Sequence, residues 1–314
     1  MPDVADVAAM SVKELRAYIA SAGLGFADCF EISDLRERAN EAAARHTSGT
    51  PVVSSPGTPA RGGAVEKEKR TFFGYDCTLM STKAVLAGEA MPGLIVILLH
   101  GLGANASDFA SIPPMLDLDS ATGSQTLWVF PQAPVGSMFV AAWWTIDVMR
   151  WMGAMSAGEV AIAKLIRDVP PGLPECRARL TKLVAEVCLS ANDCPTSRVV
   201  LGGFSQGAMT SVDVALSMPP DKRVGGILSL SGAPIVVDEW AGKLQKMKGI
   251  SVMLTHGRSD GTIPFAVCGW LEELLKHNGA VVTTSHHGGG HDFGPQTTIA
   301  AVRDYLVARA KAAA

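Results

Sequence analysis

From Thr71 onward, short continuous apolar runs alternate with segments of helical periodicity, and this alternation restricts the fold more than any other feature of the chain. Strands that are buried on both faces have continuous apolar sequences. Parallel strands also need a crossover connection, which is usually a helix. The pattern therefore predicts an α/β fold with a mainly parallel central sheet and helices on both faces. The apolar runs are 94–99, 126–130, 198–203, 225–230, 250–255 and 280–285, and the helical segments are 174–190, 207–217, 264–277 and 296–312.

Residues 46–70 are rich in proline, glycine, serine and charge, and cannot bury much apolar surface. We therefore predict that they form a flexible linker. The linker would separate a large domain, 71–314, from a small module, 1–45. That module shows two helix signatures, one capped at Ser11 and one at Ser33.

Composition excludes several functional classes. The 314 residues carry a formal net charge of −3, which gives no general attraction to polyanions, so a nucleic-acid partner is not expected. No apolar run approaches the roughly 20 residues of a transmembrane helix. The N-terminus lacks the basic and apolar regions of a secretory signal. Six irregularly spaced cysteines favour reduced thiols over a disulfide framework, so we predict a cytoplasmic protein.

The sequence Gly203-Phe204-Ser205-Gln206-Gly207 lies where an apolar run gives way to a helical segment. In a Gly-x-Ser-x-Gly turn the serine stands exposed on a sharp strand-to-helix bend, beside a helix N-terminus that favours developing negative charge. The pattern predicts Ser205 as a nucleophile. The alternative is a glycine-rich turn that serves packing alone.

A nucleophilic serine needs a histidine base, and the base needs an acid that fixes its tautomer. Asp260 follows the run 250–255, and His291 follows the run 280–285, which is the chain order Ser, Asp, His of this type of site. We therefore favour Asp260 and His291 as its partners. The rival candidates are His286, His287, Asp292 and Asp213.

An acyl-transfer site also needs backbone N–H groups that point at the developing oxyanion. One should belong to Gln206, the residue after the nucleophile, and the other to a loop after an earlier strand. His100-Gly101-Leu102-Gly103-Ala104-Asn105 follows the run 94–99 and is a loop of that kind. An ordinary connecting loop is the alternative.

Six short segments resemble the acyl-protein thioesterase and carboxylesterase group, also called the phospholipase/carboxylesterase family. This resemblance implies an α/β-hydrolase fold, a triad of Ser205, Asp260 and His291, and an oxyanion hole made by the amides of Leu102 and Gln206. Residues 11–44 weakly resemble a SAP-like helical module, whose balanced charge favours a protein partner. The six segments are 99–103, 130–134, 203–207, 230–232, 256–264 and 290–291.

Together these features predict a serine hydrolase that cleaves carboxylic esters or thioesters through an acyl-enzyme, with an acylated protein or a lysolipid among its substrates. No metal or organic cofactor is implied. A peptidase or acyltransferase on the same fold, or a non-catalytic binding protein, is the alternative. A long insertion supplies Trp143, Trp144, Met149 and Met152 as candidate substrate-binding residues, with 147–175 as a candidate lid. Plain core packing is the other interpretation of that insertion.

Overall fold

The structure is a computed structural model, and the chain divides into two units, Met1–Ala60 and Arg61–Ala314. It describes residues 64–136 and 139–313, together with separate positions of the N-terminal unit. Those positions are 7, 10, 15, 18, 19, 36, 38–40 and 43.

The N-terminal unit has a small apolar core of its own. Its buried members all have helical backbone, and Met10 and Tyr18 pack against them. The predicted caps at Ser11 and Ser33 lie outside the described residues, as does the predicted linker up to residue 63. The resemblance to a SAP-like module and its protein partner therefore stay predictions. The buried members are Val7, Leu15, Ile19 and Ala39.

The larger unit is built on one eight-stranded sheet with the order β1-β2-β4-β3-β5-β6-β7-β8. β1 and β2 pair antiparallel at one edge, and β2 pairs antiparallel with β4. All other neighbours are parallel, so the predicted mainly parallel sheet is confirmed. The strands are β1 (Val65–Phe72), β2 (Tyr75–Thr82), β3 (Leu94–Leu99), β4 (Thr126–Pro131), β5 (Val199–Phe204), β6 (Gly226–Leu230), β7 (Ser251–Thr255) and β8 (Val281–Thr284).

The sheet edge differs from the sequence prediction. The composition predicts a linker up to residue 70 and a large domain from residue 71, but β1 already begins at Val65. This segment, Val-Glu-Lys-Glu-Lys-Arg, is mostly exposed and charged, as edge strands often are to avoid pairing with other chains. Because this edge strand is rich in charged residues, its composition resembles that of a linker.

Helices cover both faces of the sheet. Ile95, Ile97 and Leu99 of β3 belong to one apolar cluster, while Leu94, Val96 and Leu98 belong to the other, because successive strand residues point to opposite faces. The long helices are α4 (Val148–Ala157), α6 (Leu173–Ser190), α7 (Gln206–Ser217), α9 (Phe265–His277) and α10 (Gln296–Ala313). The short ones are α1 (Lys83–Leu86), α2 (Ile112–Leu116), α3 (Leu118–Thr122), α5 (Glu159–Leu165) and α8 (Val237–Ala241), with 3-10 turns at Ala106–Phe109, Thr196–Arg198, Pro220–Lys222 and Leu244–Met247.

The two clusters differ in the helices they contain. The first holds buried residues of α6, α7 and α9, and the second holds Tyr305, Leu306 and Ala310 of α10. The four long helices that the periodicity predicted are therefore present, and the boundaries of all four agree with the prediction to within one residue. None of the helices in the described residues combines the length and the apolar character needed to cross a membrane.

Candidate active site

Ser205 sits between the last residue of β5 and the first residue of α7, with φ 52° and ψ −118°. A positive φ at a non-glycine residue is uncommon and is often found at functional sites. The bend requires glycine at position 207, because a Cβ there would overlap the carbonyl oxygen of Leu99 on the neighbouring strand. The backbone of β5 and α7 thus holds the serine in a strained conformation at the carboxyl end of the sheet.

His291 bridges the serine and a carboxylate. Its Nε2 lies 2.8 Å from Ser205 Oγ, and its Nδ1 lies 2.7 Å from Asp260 Oδ2. Nδ1 must carry a hydrogen to donate to the carboxylate, which leaves Nε2 as the acceptor for the serine proton in the neutral ring. These three residues, which the sequence singled out, therefore lie in one hydrogen-bonded chain.

The carboxylate of Asp260 is surrounded by donors. Its Oδ1 accepts the N–H groups of Thr262 and Ile263, both at 2.8 Å, and His256 Nε2 lies 3.1 Å from its Oδ2. Burial alone would raise the pKa of Asp260, but the interactions with His256 and His291 hold it well below its usual range. Asp260 is therefore an anion throughout the neutral range.

Two loops carry the acid and the base, and they lie against each other. The N–H of Arg258 donates to His287 O, and the N–H of Ser259 donates to Gly289 O. Position 257 must be glycine, because a Cβ there would overlap the carbonyl oxygen of Gly290. The close contact between these loops fixes the spacing between Asp260 and His291.

The rival acids and bases have other partners. His286 Nε2 faces Glu272 at 3.6 Å, and His287 Nδ1 accepts the N–H of Gly289. Asp292 accepts the N–H groups of Gly290 and Gly294 and so shapes the loop that carries His291. Asp213 is buried inside α7 and pairs with Arg177 through both carboxylate oxygens. Ser205 is hydrogen-bonded to His291, and the contacts of the four rival residues are structural.

Gln206 directly follows Ser205, and Leu102 lies in the loop after β3, as the prediction of an oxyanion hole requires. Gln206 is the first residue of α7, and the first N–H groups of a helix have no acceptor within it. The turn around Leu102 is fixed because Gly103 N–H donates to Ala141 O and Ala104 N–H donates to Gly101 O. Both amides are thus held by elements that flank the serine.

A buried histidine, His100, anchors the loop that contains Leu102. Its Nε2 accepts the N–H of Ala133 at 3.0 Å, so its Nδ1 carries the hydrogen and donates to Gly101 O at 2.8 Å. Burial lowers the pKa of His100, which favours this neutral form. The indole N–H of Trp143 donates to His100 O. Several side chains therefore brace this turn.

The four candidate substrate-binding residues fall into two pairs. Trp143 and Trp144 are buried, and the indole N–H of Trp144 donates to Thr210 Oγ1. Both tryptophans line a cavity of about 260 Å³ that also has Tyr75 and Arg179 in its wall. On the surface of α4, the exposed fractions of Met149 and Met152 are 80% and 59%. Core packing explains most of the surface of the tryptophans, whereas Met149 and Met152 are free to meet a ligand.

Two features of the site were missed by the sequence predictions. The side-chain amide of Gln206 accepts the N–H of Trp143 and donates to Trp144 O, which ties α7 to the insertion. His256, at the end of β7, contacts Asp260. The four-residue spacing of His256 and Asp260 around a strand end is a signal, but only the folded loop shows that they meet. No group of three or more His, Cys, Asp or Glu in the described part of the chain is arranged to hold a metal ion.

Comparison with known proteins places the chain among related enzymes. The sequence model of the phospholipase/carboxylesterase family matches residues 80–308. The chain belongs to this family. It is accordingly a serine hydrolase that acts on esters or thioesters, and the expected family is confirmed.

Curated relatives in the phospholipase/carboxylesterase family include fungal proteins. Acyl-protein thioesterase 1 of Eremothecium gossypii is 31% identical over 186 residues, covering 57% of this chain and 72% of that protein. Acyl-protein thioesterase 1 of Schizosaccharomyces pombe is 28% identical over 191 residues, covering 58% of this chain and 75% of that protein.

Solved structures share the fold. Esterase PE8 superposes with a TM-score of 0.56 at 21% identity, covering 70% of this chain and 94% of its own. Acyl-protein thioesterase 2 of Zea mays gives 0.54 at 18% identity, covering 74% and 98%. The predicted α/β-hydrolase fold is thereby confirmed.

Proposed function

We propose that Ser205, His291 and Asp260 form the catalytic triad of this hydrolase. Ser205 Oγ attacks the carbonyl carbon of an ester or thioester while His291 Nε2 takes the hydroxyl proton. Asp260 holds the imidazole in the tautomer that allows this transfer. The amides of Leu102 and Gln206 donate to the oxygen that becomes negative.

The reaction is completed in two stages. Collapse of the tetrahedral intermediate releases the alcohol or thiol, which leaves with the proton held by His291, and the acyl group stays on Ser205. Water then gives a proton to His291 and attacks the acyl-enzyme. The second collapse releases the carboxylic acid and returns the proton to Ser205.

The observation that carries this proposal is the continuous hydrogen-bonded chain at the bend after β5. Ser205 Oγ to His291 Nε2 is 2.8 Å, and His291 Nδ1 to Asp260 Oδ2 is 2.7 Å. A packing turn would not need a buried carboxylate aligned with a histidine and a strained serine. The geometry therefore supports nucleophilic catalysis over a scaffold role.

For the substrate, we propose an acyl chain carried on a protein thiol or a lysolipid. Met149 and Met152 of α4 are exposed, and so is Leu102 in the oxyanion loop, so all three offer apolar surface to a ligand. Flexible methionine side chains adapt to an acyl chain. The names of the fungal relatives, which are acyl-protein thioesterases, support the thioester alternative.

For the compartment, we propose the cytoplasm. Cys77, Cys176, Cys188, Cys194 and Cys268 are free and buried. Free thiols in such number favour a reducing environment over an oxidising one.

Hydrolysis of a substrate series tests the proposal. The series comprises p-nitrophenyl acetate, butyrate and octanoate together with S-octanoyl thiocholine. We expect Ser205→Ala to lower kcat by roughly 10⁴-fold or more on every substrate, while the control Ser190→Ala, at the end of α6, keeps wild-type rates. Equal activity of Ser205→Ala and wild type would reject the triad.

The same series tests the role of α4. Met152→Ala should lower kcat/KM for the octanoyl esters relative to acetate by a few-fold. The exposed Val160→Ala on α5 serves as the control. An unchanged octanoate-to-acetate ratio in Met152→Ala would exclude α4 from the acyl-chain site.

A further inference from the structure

Asp260 does not contact His291 alone. Its Oδ2 lies 2.7 Å from His291 Nδ1 and 3.1 Å from Nε2 of a second histidine, His256. Its Oδ1 accepts the backbone N–H groups of Thr262 and Ile263. Four N–H groups therefore face a carboxylate that has about four acceptor positions. Only the N–H of His291 belongs to the proposed triad, and the second side-chain donor is His256.

The orientation of His256 is fixed by the loop it begins. Its Nε2 also lies 2.8 Å from the carbonyl oxygen of Ile263. Both neighbours of Nε2 are acceptors, so this nitrogen must carry a hydrogen. Ile263 donates its N–H to Asp260 and accepts from His256, which closes the loop 256–263 on itself. The side chain of His256 is 0% exposed, so water does not compete for these contacts.

We propose that His256 is a positioning residue that holds Asp260 and shares its negative charge with His291. This inference rests on the proposed function, since it assigns a role within the triad. By drawing charge from Oδ2, His256 limits how strongly Asp260 stabilises the protonated form of His291. A change at His256 should therefore move the acidic limb of the pH dependence of hydrolysis.

The other groups around His256 allow this role. Burial by itself would lower the pKa of His256, but Asp260 and Cys268 raise it to about 10, so the ring keeps its proton through the neutral range. The ring of Phe265 packs against both His256 and His286, and burial lowers the pKa of His286. The groups that face His256, directly or through the ring of Phe265, are Asp260, Cys268, His286, Arg258 and Glu272.

The pH dependence of kcat/KM for p-nitrophenyl butyrate tests the proposal. His256→Phe removes both the hydrogen and the charge, so more of the Asp260 charge acts on His291. We expect the midpoint of the acidic limb to move up by about one pH unit. His256→Gln keeps an N–H at nearly the same place without the charge, and we expect a smaller upward shift. The control His286→Gln alters a neighbouring histidine and should leave the midpoint unchanged.

A purely structural role gives a different result. In that case the plateau rate or the melting temperature of the His256 variants falls, but the midpoint stays at the wild-type value, and the proposal is overturned. If the wild-type protein does not hydrolyse the ester, or if Ser205→Ala still does, the proposed triad fails instead.

A measurement on the unmodified protein covers the case in which the variants do not fold. In ¹⁵N-histidine-labelled wild type, two-bond nitrogen–proton spectra should show both ring nitrogens of His256 protonated at every pH from about 5 to 9, as a pKa near 10 requires. A signal from an unprotonated ring nitrogen of His256 within that range would overturn the proposal without any assay of activity.

Discussion

Two carboxylates, Asp213 and Asp260, are fully buried in the larger unit, and they are neutralised in opposite ways. Asp213 pairs with Arg177 through both oxygens and also accepts the indole N–H of Trp240. Asp260 is held by two backbone N–H groups and two imidazoles. The partner of the first carboxylate is permanently charged, whereas the side-chain partners of the second can gain and lose protons.

This difference separates a structural site from a chemical one. Arg177 lies on α6, Asp213 on α7 and Trp240 on α8, so the first cluster ties three helices together. No proton moves there near neutral pH, because arginine does not titrate in that range. The imidazole of His291 connects the Asp260 carboxylate to Ser205, so the charge of that cluster can change when a proton moves between Ser205 and His291. Burial of an acid alone therefore does not mark a catalytic site, but the titration range of its partner does.

Replacing Asp260 with asparagine should have the largest effect on activity. Asp260→Asn removes the charge that fixes the His291 tautomer, so we expect kcat to fall by roughly 10⁴-fold. The fold should survive, because the amide keeps most of the size of the side chain. The measurement is p-nitrophenyl butyrate hydrolysis with circular dichroism as the test of folding. A folded Asp260→Asn with near-wild-type kcat would remove Asp260 from the triad.

Asp213→Asn is the matched control and should show the reverse pattern. It leaves the part-buried Arg177 with Glu239 as its remaining anion, at 2.8 Å, so we expect the free energy of unfolding to fall by about 1.5–3 kcal/mol. Urea unfolding followed by tryptophan fluorescence measures this loss. In the folded protein we expect kcat/KM within about tenfold of wild type, since Asp213 touches no residue of the proposed triad. A selective loss of activity without loss of stability would contradict the structural role.

The two clusters should also differ, by a smaller amount, in how their contributions to stability depend on pH. Because the pKa of His256 is raised to about 10 in the folded state, its contribution to stability is complete below the unfolded value of about 6.5 and is lost as the pH rises. The pKa of Asp260 is lowered, so its contribution is lost only as the pH falls below about 4. Burial alone would lower the pKa of Arg177, but Asp213 and Glu239 raise it, so Arg177 stays charged across this range.

The melting temperature of the wild-type enzyme should therefore fall between about pH 7.5 and 8.5, by about 2–4 °C for each kcal/mol lost. The range stops there because burial raises the pKa of Cys77 and Cys176 to about 12, and their ionisation in the unfolded chain would add a second decline above about pH 8.5. Below about pH 7.5 the lowered pKa values of His100 and His286 add stability as the pH rises and offset the loss at His256. His256→Gln should show a flatter profile than wild type. Parallel profiles for the two proteins would exclude His256 as the titrating group.

Much of this site could be predicted from the sequence because its residues lie at strand ends. A strand end can be located from an apolar run, and parallel topology brings Ser205, Asp260 and His291 to the same edge. Contacts that depend on how a loop closes could not be predicted. His256 meets Asp260 only because the loop 256–263 folds back, and the pairing of Arg177 with Asp213 depends on the packing of two helices. β1 was missed because its charged sequence is that of both a linker and a protected edge.

Covalent labelling shows directly whether Ser205 is the nucleophile. The intact protein is treated with a fluorophosphonate probe at pH 8, and the modified peptide is located by mass spectrometry. We expect a single adduct on Ser205, formed at least roughly 10³-fold more slowly in Asp260→Asn and within about tenfold of the wild-type rate in Asp213→Asn. An intact, folded protein that takes no label, or takes it on a residue other than Ser205, would contradict the account.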